Sequence, residues 1–109
     1  MSAAYFYIVR YWVAPEAEAH LLAWLDGGHT AEVAGLPGFL SARRVRLEET
    51  DSFGWRAFTT IYTLESKAAL DAYFANPIRE KFAREAAVFA GAMRSERSWG
   101  AQEFETARR

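Results

Sequence analysis

Two histidines are the side chains here whose ordinary pKa, ~6.5, lets them exchange protons near neutral pH, and their settings differ. His29 comes straight after Gly27-Gly28, where the apolar run "LLAWLD" stops. That break predicts a loop position from which the ring can be aimed away from the helix, and makes His29 the candidate general acid/base. The structural alternative is a loop histidine that caps or bonds backbone. His20, one turn before Trp24 on the flank of the same run, reads as structural. Arg10 stands alone among apolar residues in "YFYIVRYWV", and its paired guanidinium donors suit a carboxylate, enolate or phenolate. Its structural alternative is pairing with a glutamate across a dimer. Trp12 and Trp24 have the rings to stack on a planar ligand, or else simply to fill core.

Other chemistries find little support. The chain has no cysteine, which removes disulfides, thiolate nucleophiles and sulfur-ligated metals. His29 and Glu32 are three apart, but two ligands without a third histidine do not make a convincing metal site, so neither metal nor cofactor is expected. No serine or threonine lies in a nucleophile-elbow pattern. Arg43, Arg44 and Arg46 are balanced by Glu48, Glu49 and Asp51, which suits an exposed hairpin. A net charge of -1 and a pI near 6.1 give no broad basic surface, so nucleic-acid and membrane partners are not expected. "FGWRAF" superficially matches the aromatic signature of RNA-recognition modules, yet Arg56 and Ala57 stand where that motif needs a small residue and an aromatic. The start, Met1-Ser2-Ala3-Ala4, lacks a basic segment and Arg10 interrupts the first apolar run. The expectation is therefore a cytoplasmic protein without signal peptide or membrane span.

The elements that must position these groups follow from periodicity. At 109 residues the chain reads as one domain, 1–109, with 105–109 a frayed tail. Positions 5–13, aromatic and β-branched throughout, predict a strand. Pro15, Glu16 and Glu18 suit a helix start, and Ala17, Leu21, Trp24 and Leu25 share one face up to the glycine pair. "FLSARRVRLE" and "WRAFTTIYTL" predict a hairpin around "ETDSFG". Ser66 suits the N-cap of a second helix that Asn76-Pro77 divides in two, and within the ambiguous segment Met93–Phe104 the stretch "MRSERSW" can serve as a last strand. The order is βαββαβ, an α+β fold with a four-stranded antiparallel sheet. Two helices cover one face of such a sheet, yet Tyr5, Tyr7, Val9, Tyr11 and Val13 alternate with Phe6, Ile8 and Trp12. Both faces demand cover, which predicts a homodimer.

This order resembles the ferredoxin-like, dimeric α+β barrel superfamily, together with "LAWL", the following His29, "PGF" leading into an "AR" strand, and "YTLES". The chain is similar to a small uncharacterised family within it and, more distantly, to EthD-like proteins, which often carry a His after the first helix and then a Pro-Gly turn. His29 and Pro37-Gly38 match that pattern, although Thr30-Ala31 stand where a Pro often follows. The resemblance implies paired sheets around a lumen that accepts small, hydrophobic, ring-bearing molecules. It sets Tyr7, Val9, Tyr11 and Val13, with Phe58, Tyr62 and Leu64, against the helices. It turns Ile8, Arg10, Trp12, Ala57, Thr59, Ile61 and Thr63 to the lumen. The expected function is then a cofactor-independent isomerase, cyclase or lyase, with His29 as acid/base and Arg10 as anion stabiliser. Ile8, Trp12, Trp24, Thr59 and Ile61 would bind substrate. The alternatives are a non-catalytic homodimeric metabolite-binding or assembly domain, and a cofactor-free monooxygenase.

Overall fold

The computed structural model describes residues 4–108; the first three positions, on which the expectation of a leaderless start drew, and Arg109 of the expected tail lie outside the described residues. The elements are β1 (Tyr5–Val13), α1 (Pro15–Trp24), a widened helical turn (Leu25–His29), α2 (Thr30–Ala34), β2 (Phe39–Thr50), β3 (Arg56–Leu64), α3 (Lys67–Phe74), α4 (Ile78–Ala86) and β4 (Met93–Ala101). The strands form one antiparallel sheet in the order β2-β3-β1-β4, so the βαββαβ ferredoxin-like fold is the one predicted.

Alternation along the two central strands divides their residues cleanly between the faces. Tyr5, Tyr7, Tyr11 and Val13 of β1 and Phe58, Thr60, Tyr62 and Leu64 of β3 are buried. The apolar ones pack against the helices in two clusters. One joins Tyr7 and Tyr62 to Val33, Leu70, Tyr73 and Phe82, the other joins Tyr11 and Phe58 to Leu21, Leu25 and Phe89, and Val9 touches both. The opposite face carries Phe6, Ile8, Arg10 and Trp12, in register with Thr63, Ile61, Thr59 and Ala57 of β3. Arg10 pairs there with Glu49 of its own chain, rather than needing a glutamate from a second copy. The guanidiniums of Arg10 and Arg94 lie 5.2 and 4.2 Å from the Trp12 ring.

Local chemistry sets the element ends. Ser66 Oγ accepts the Ala69 N–H at 3.3 Å and so caps α3, while Asn76 Oδ1 accepts the Ile78 N–H at 2.9 Å across the break before α4. Gly38 turns the chain from α2 into β2 at φ +82°, and a Cβ there would come within 2.4 Å of Ala69 Cβ. Three boundaries differ from the expectation. Asp51 Oδ1 accepts the N–H groups of both Phe53 and Trp55, so β3 begins at Arg56 instead of Trp55, and β2 runs on to Thr50. β4 continues to Ala101, and residues 102–108 form no regular element.

The larger correction concerns His29. The predicted helix break and loop at Gly27-Gly28 are instead a widened turn, in which the Thr30 N–H donates to Leu25 O five residues back. His29 itself has helical angles, φ -57° and ψ -50°, and leads directly into α2. Only Gly28 departs from helical geometry, at φ +157° and ψ -31°. Two poor helix formers in succession weaken the ladder by about 1 kcal/mol each, so the helix absorbs an extra residue there and bends without ending.

Candidate functional site

The widened turn sets the His29 ring over a cavity of about 180 Å³ between the sheet and the helices. Tyr7, Val9 and Tyr11 of β1, with Thr60 and Tyr62 of β3, form its floor. Ser95 and Arg97 of the edge strand β4 close one side. Trp24, His29 and Phe82 form the roof, and Tyr73 and Arg79 stand at one end.

His29 is held by two rings. Its imidazole stacks on Trp24 with centroids 4.0 Å apart and planes 16° apart, and it meets Phe82 edge-on at 4.6 Å and 87°. Trp24 is fixed in turn, because its Nε1 donates to Glu85 Oε1 at 3.3 Å. Lys81 on α4 reaches Glu32 on α2 at 2.6 Å and Glu85 at 3.9 Å, tying together the helices on either side of the histidine. His29 Nδ1 is buried without a protein hydrogen-bond partner. Burial pushes the imidazole pKa down, against the weaker upward pull of Glu85 and Glu32. The ring is therefore neutral at pH 7, carrying one N–H and one lone pair, as a proton acceptor requires.

The floor is rich in hydroxyls. Tyr11 Oη and Thr60 Oγ1 are 3.2 Å apart, and burial pushes the pKa of Tyr11 up, as it does those of Tyr62 and Tyr73. These phenols stay protonated and can donate hydrogen bonds to an oxygen in the cavity. Arg97 Nε donates to Tyr7 Oη at 2.9 Å and its Nη1 to Ser95 Oγ at 2.9 Å. The Arg79 guanidinium lies 5.3 Å from the Tyr73 ring and 5.0 Å from the Phe74 ring. Among the described residues no three His, Asp or Glu side chains converge as a metal cage would need.

Of the residues singled out from the sequence, His29 and Trp24 meet at this cavity. Ile8, Arg10, Trp12, Thr59 and Ile61 lie together on the other face of the sheet, separated from it by the backbone of β1 and β3. The physical cause is strand alternation: the positions that face the helices also line the cavity, so Arg10 and His29 of one chain do not share a site. His20 meets Phe89 edge-on at 5.0 Å on the exposed flank of α1. Sequence reasoning passed over Tyr7, Tyr11, Tyr62, Tyr73, Arg79 and Arg97. Tyr7, Tyr11 and Tyr62 were assigned to packing, and Tyr73 and the arginines carried no local pattern.

Solved structures with this architecture span almost the whole chain. The ActVA-Orf6 monooxygenase of Streptomyces coelicolor, solved with the ligand Nanaomycin D, is 20% identical with a TM-score of 0.71, covering 98% of this chain and 94% of its own. SnoaB, a cofactor-independent oxygenase from Streptomyces nogalater, is 19% identical with a TM-score of 0.67, over 95% of this chain and 97% of its own. A dimeric ferredoxin-like protein from an uncultured marine organism is 10% identical with a TM-score of 0.73, over 95% and 99%. At such identities these likenesses establish the fold. No curated protein matches the sequence. The helices, the widened turn and all of the sheet but Trp99–Ala101 of β4 fall within residues 4–98, the stretch matched by the model of one family, and the chain belongs to that family, described as Domain of unknown function (DUF4286).

Proposed function

We propose that this protein is a cofactor-independent enzyme that binds a small, hydrophobic, ring-bearing molecule between its sheet and helices, and that His29 removes a proton from it. One observation carries the reading: a neutral histidine, clamped by Trp24 and Phe82, lines the cavity with an unpaired ring nitrogen. A histidine serving only to fill core would be placed with both nitrogens satisfied. Proton loss from a phenol or an enolisable carbon builds negative charge on a substrate oxygen. The Tyr11 and Thr60 hydroxyls are placed to supply donors to it. Returning the proton to a different carbon gives an isomerisation, attack of the anion on a carbonyl carbon of the same molecule with the proton returned to that carbonyl's oxygen gives a cyclisation, and expelling a leaving group gives a lyase reaction. A second reading is that the same anion reacts with dioxygen. Its support is the likeness in fold to ActVA-Orf6 and SnoaB, a monooxygenase and a cofactor-independent oxygenase.

The apolar side chains of the open face, Phe6, Ile8, Trp12 and Ile61, are further proposed to pair with those of a second copy. The likeness to a dimeric ferredoxin-like protein supports this arrangement.

The test uses 2-tetralone in deuterated buffer. Proton NMR should show its α-proton exchange accelerated by the native protein and by His20→Ala, and not by His29→Ala. Equal exchange by native protein and His29→Ala would sink the assignment of His29. Oxygen uptake with a dihydroxynaphthalene, above its autoxidation rate and dependent on His29, would select the oxygenase reading.

A further inference from the structure

The cavity holds an unusual distribution of charge. Two arginines line it, Arg79 from α4 and Arg97 from β4, and no aspartate or glutamate does. The nearby carboxylates are committed elsewhere: Glu32 to Lys81, and Glu85 to Lys81 and the Trp24 indole. Among the described residues, neither Arg79 nor Arg97 has an acidic partner. Arg97 spends two of its donor nitrogens on neutral hydroxyls, those of Tyr7 and Ser95, which orient the guanidinium without neutralising it. The Arg79 guanidinium lies 5.3 Å from the Tyr73 ring, Arg97 donates to the Tyr7 hydroxyl, and the Tyr7 and Tyr73 rings are 5.9 Å apart, so both charges stand at the Tyr7–Tyr73 end of the lining, where both counter the upward push that burial gives the Tyr73 phenol. The Trp24–His29 stack lines the same cavity. Arg97 is exposed as well as lining, which puts this end at the mouth, where a charged group can enter without crossing the apolar interior.

Resting on the reading above that a ring-bearing molecule occupies this cavity, we propose that the molecule is an aromatic carboxylate, its carboxylate held by Arg97 and Arg79 and its ring lying against Trp24 and His29. Two like charges facing a partly dry space repel, and an anion between them removes that cost while gaining charge-assisted hydrogen bonds from both. A neutral ring gains neither. Size narrows the class further. Cavities for drug-sized ligands run roughly 300–1,000 Å³, so about 180 Å³ suits one or two fused rings and excludes larger polycyclic systems without movement of the helices. The arginines have a different task from that of the Tyr11–Thr60 pair: they anchor the end of the molecule that does not react.

The test compares 2-naphthoate with its neutral isostere 2-naphthamide by titration calorimetry on the native chain. Naphthoate should bind at least about tenfold more tightly, the equivalent of ~1.4 kcal/mol, and raised salt should narrow the gap. Arg97→Gln and Arg79→Gln should each reduce the preference to below about threefold by weakening naphthoate alone. Arg84→Gln, on α4 but away from the cavity lining, should leave it unchanged. Arg97→Lys, which keeps the charge, should retain most of the preference and serves if Arg97→Gln does not fold. Equal affinity for acid and amide would overturn this inference and leave the proposed ring-binding function standing. So would an acid preference untouched by both arginine substitutions. Failure of both probes to bind at millimolar concentration would overturn the two together.

Discussion

Replacing His29 by Phe should stabilise this protein while silencing it. The imidazole makes two ring contacts, with Trp24 at 4.0 Å and Phe82 at 4.6 Å, each worth ~0.5–1.5 kcal/mol, and a phenyl ring of similar shape keeps both. What disappears is the buried, unpartnered Nδ1, whose desolvation costs about 1–3 kcal/mol. The slightly larger ring has the adjoining cavity to grow into, so overpacking is not incurred. The net gain is about 1–2 kcal/mol, or roughly 5–10 °C in melting temperature for a domain of this size. The gain should also depend on pH. Burial holds the pKa of folded His29 below its unfolded value of ~6.5, so the unfolded chain binds the extra proton. The native protein's stability is therefore full above ~6.5 and falls as pH drops from there through the folded pKa. His29→Phe lacks this loss, and the gap between the two melting curves should widen on acidification. Thermal melts at pH 7.5 and at several values below 6.5, beside the tetralone exchange assay, supply both readings. A variant that melts several degrees below the native protein at pH 7.5, or that retains exchange activity, would refute the reasoning.

Three further outcomes are expected. Gly38→Ala combines a left-handed backbone angle, ~1–2 kcal/mol, with a collision against Ala69 worth another ~1–3 kcal/mol, and should lower the melting temperature by roughly 10–25 °C. Ser66→Ala removes the cap of α3 and should cost about 1 kcal/mol in chemical denaturation, without affecting binding at the cavity. Ile8→Glu places a charge in the face proposed to pair two copies, so sedimentation should shift from a dimer toward the 12.3 kDa monomer, and an unchanged mass would remove that face from the interface.

Fold and site were not equally legible in the sequence, for reasons that particular residues make clear. The central strands β1 and β3 announced themselves through dense β-branched and aromatic runs, whereas β4 was ambiguous for lack of one, and Ser66, Asn76-Pro77 and Pro15 marked helix ends by chemistry that acts within a few residues. His29 and Trp24 were found because each is a conspicuous residue type beside a glycine pair. Their stacking was hidden, since it depends on the chain continuing as a helix through Gly27-Gly28. A glycine pair lowers helix propensity whether the helix ends there or merely widens. Only tertiary packing, here Phe82 against the ring from α4, decides between the two. Arg97 and Arg79 were invisible for the same reason, because they meet through the fold from segments far apart in sequence.

Alternation along β1 separated two faces correctly, but it does not say which face carries a cavity, and the charge of Arg10 pointed toward the open one. A better signal was present on the other face. Tyr7, Tyr11 and Tyr62 turn from the strands toward the helices, and Tyr73 of α3 meets Tyr7 from the helix side with ring centroids 5.9 Å apart. A dry contact between helix and sheet is served as well by phenylalanine, because each phenol brings an oxygen that must find a partner or lose its hydration. One buried tyrosine is readily satisfied by a neighbour, as Tyr11 is by Thr60 and Tyr7 by Arg97. Three on one inner face, with a fourth from α3 against them, are hard to satisfy by packing alone, and they make sense when a pocket interrupts that layer and the hydroxyls address what enters it. Phe58, Phe39 and Phe89 belong to the two clusters without lining the cavity, and Tyr7, Tyr11, Tyr62 and Tyr73 line it beside Phe82, while Tyr5 packs in the first cluster away from it. In a two-layer α+β domain, the choice of Tyr over Phe along the buried face of a strand is thus a readable sign that a cavity lies under the helices, and here it marks the same cavity as His29.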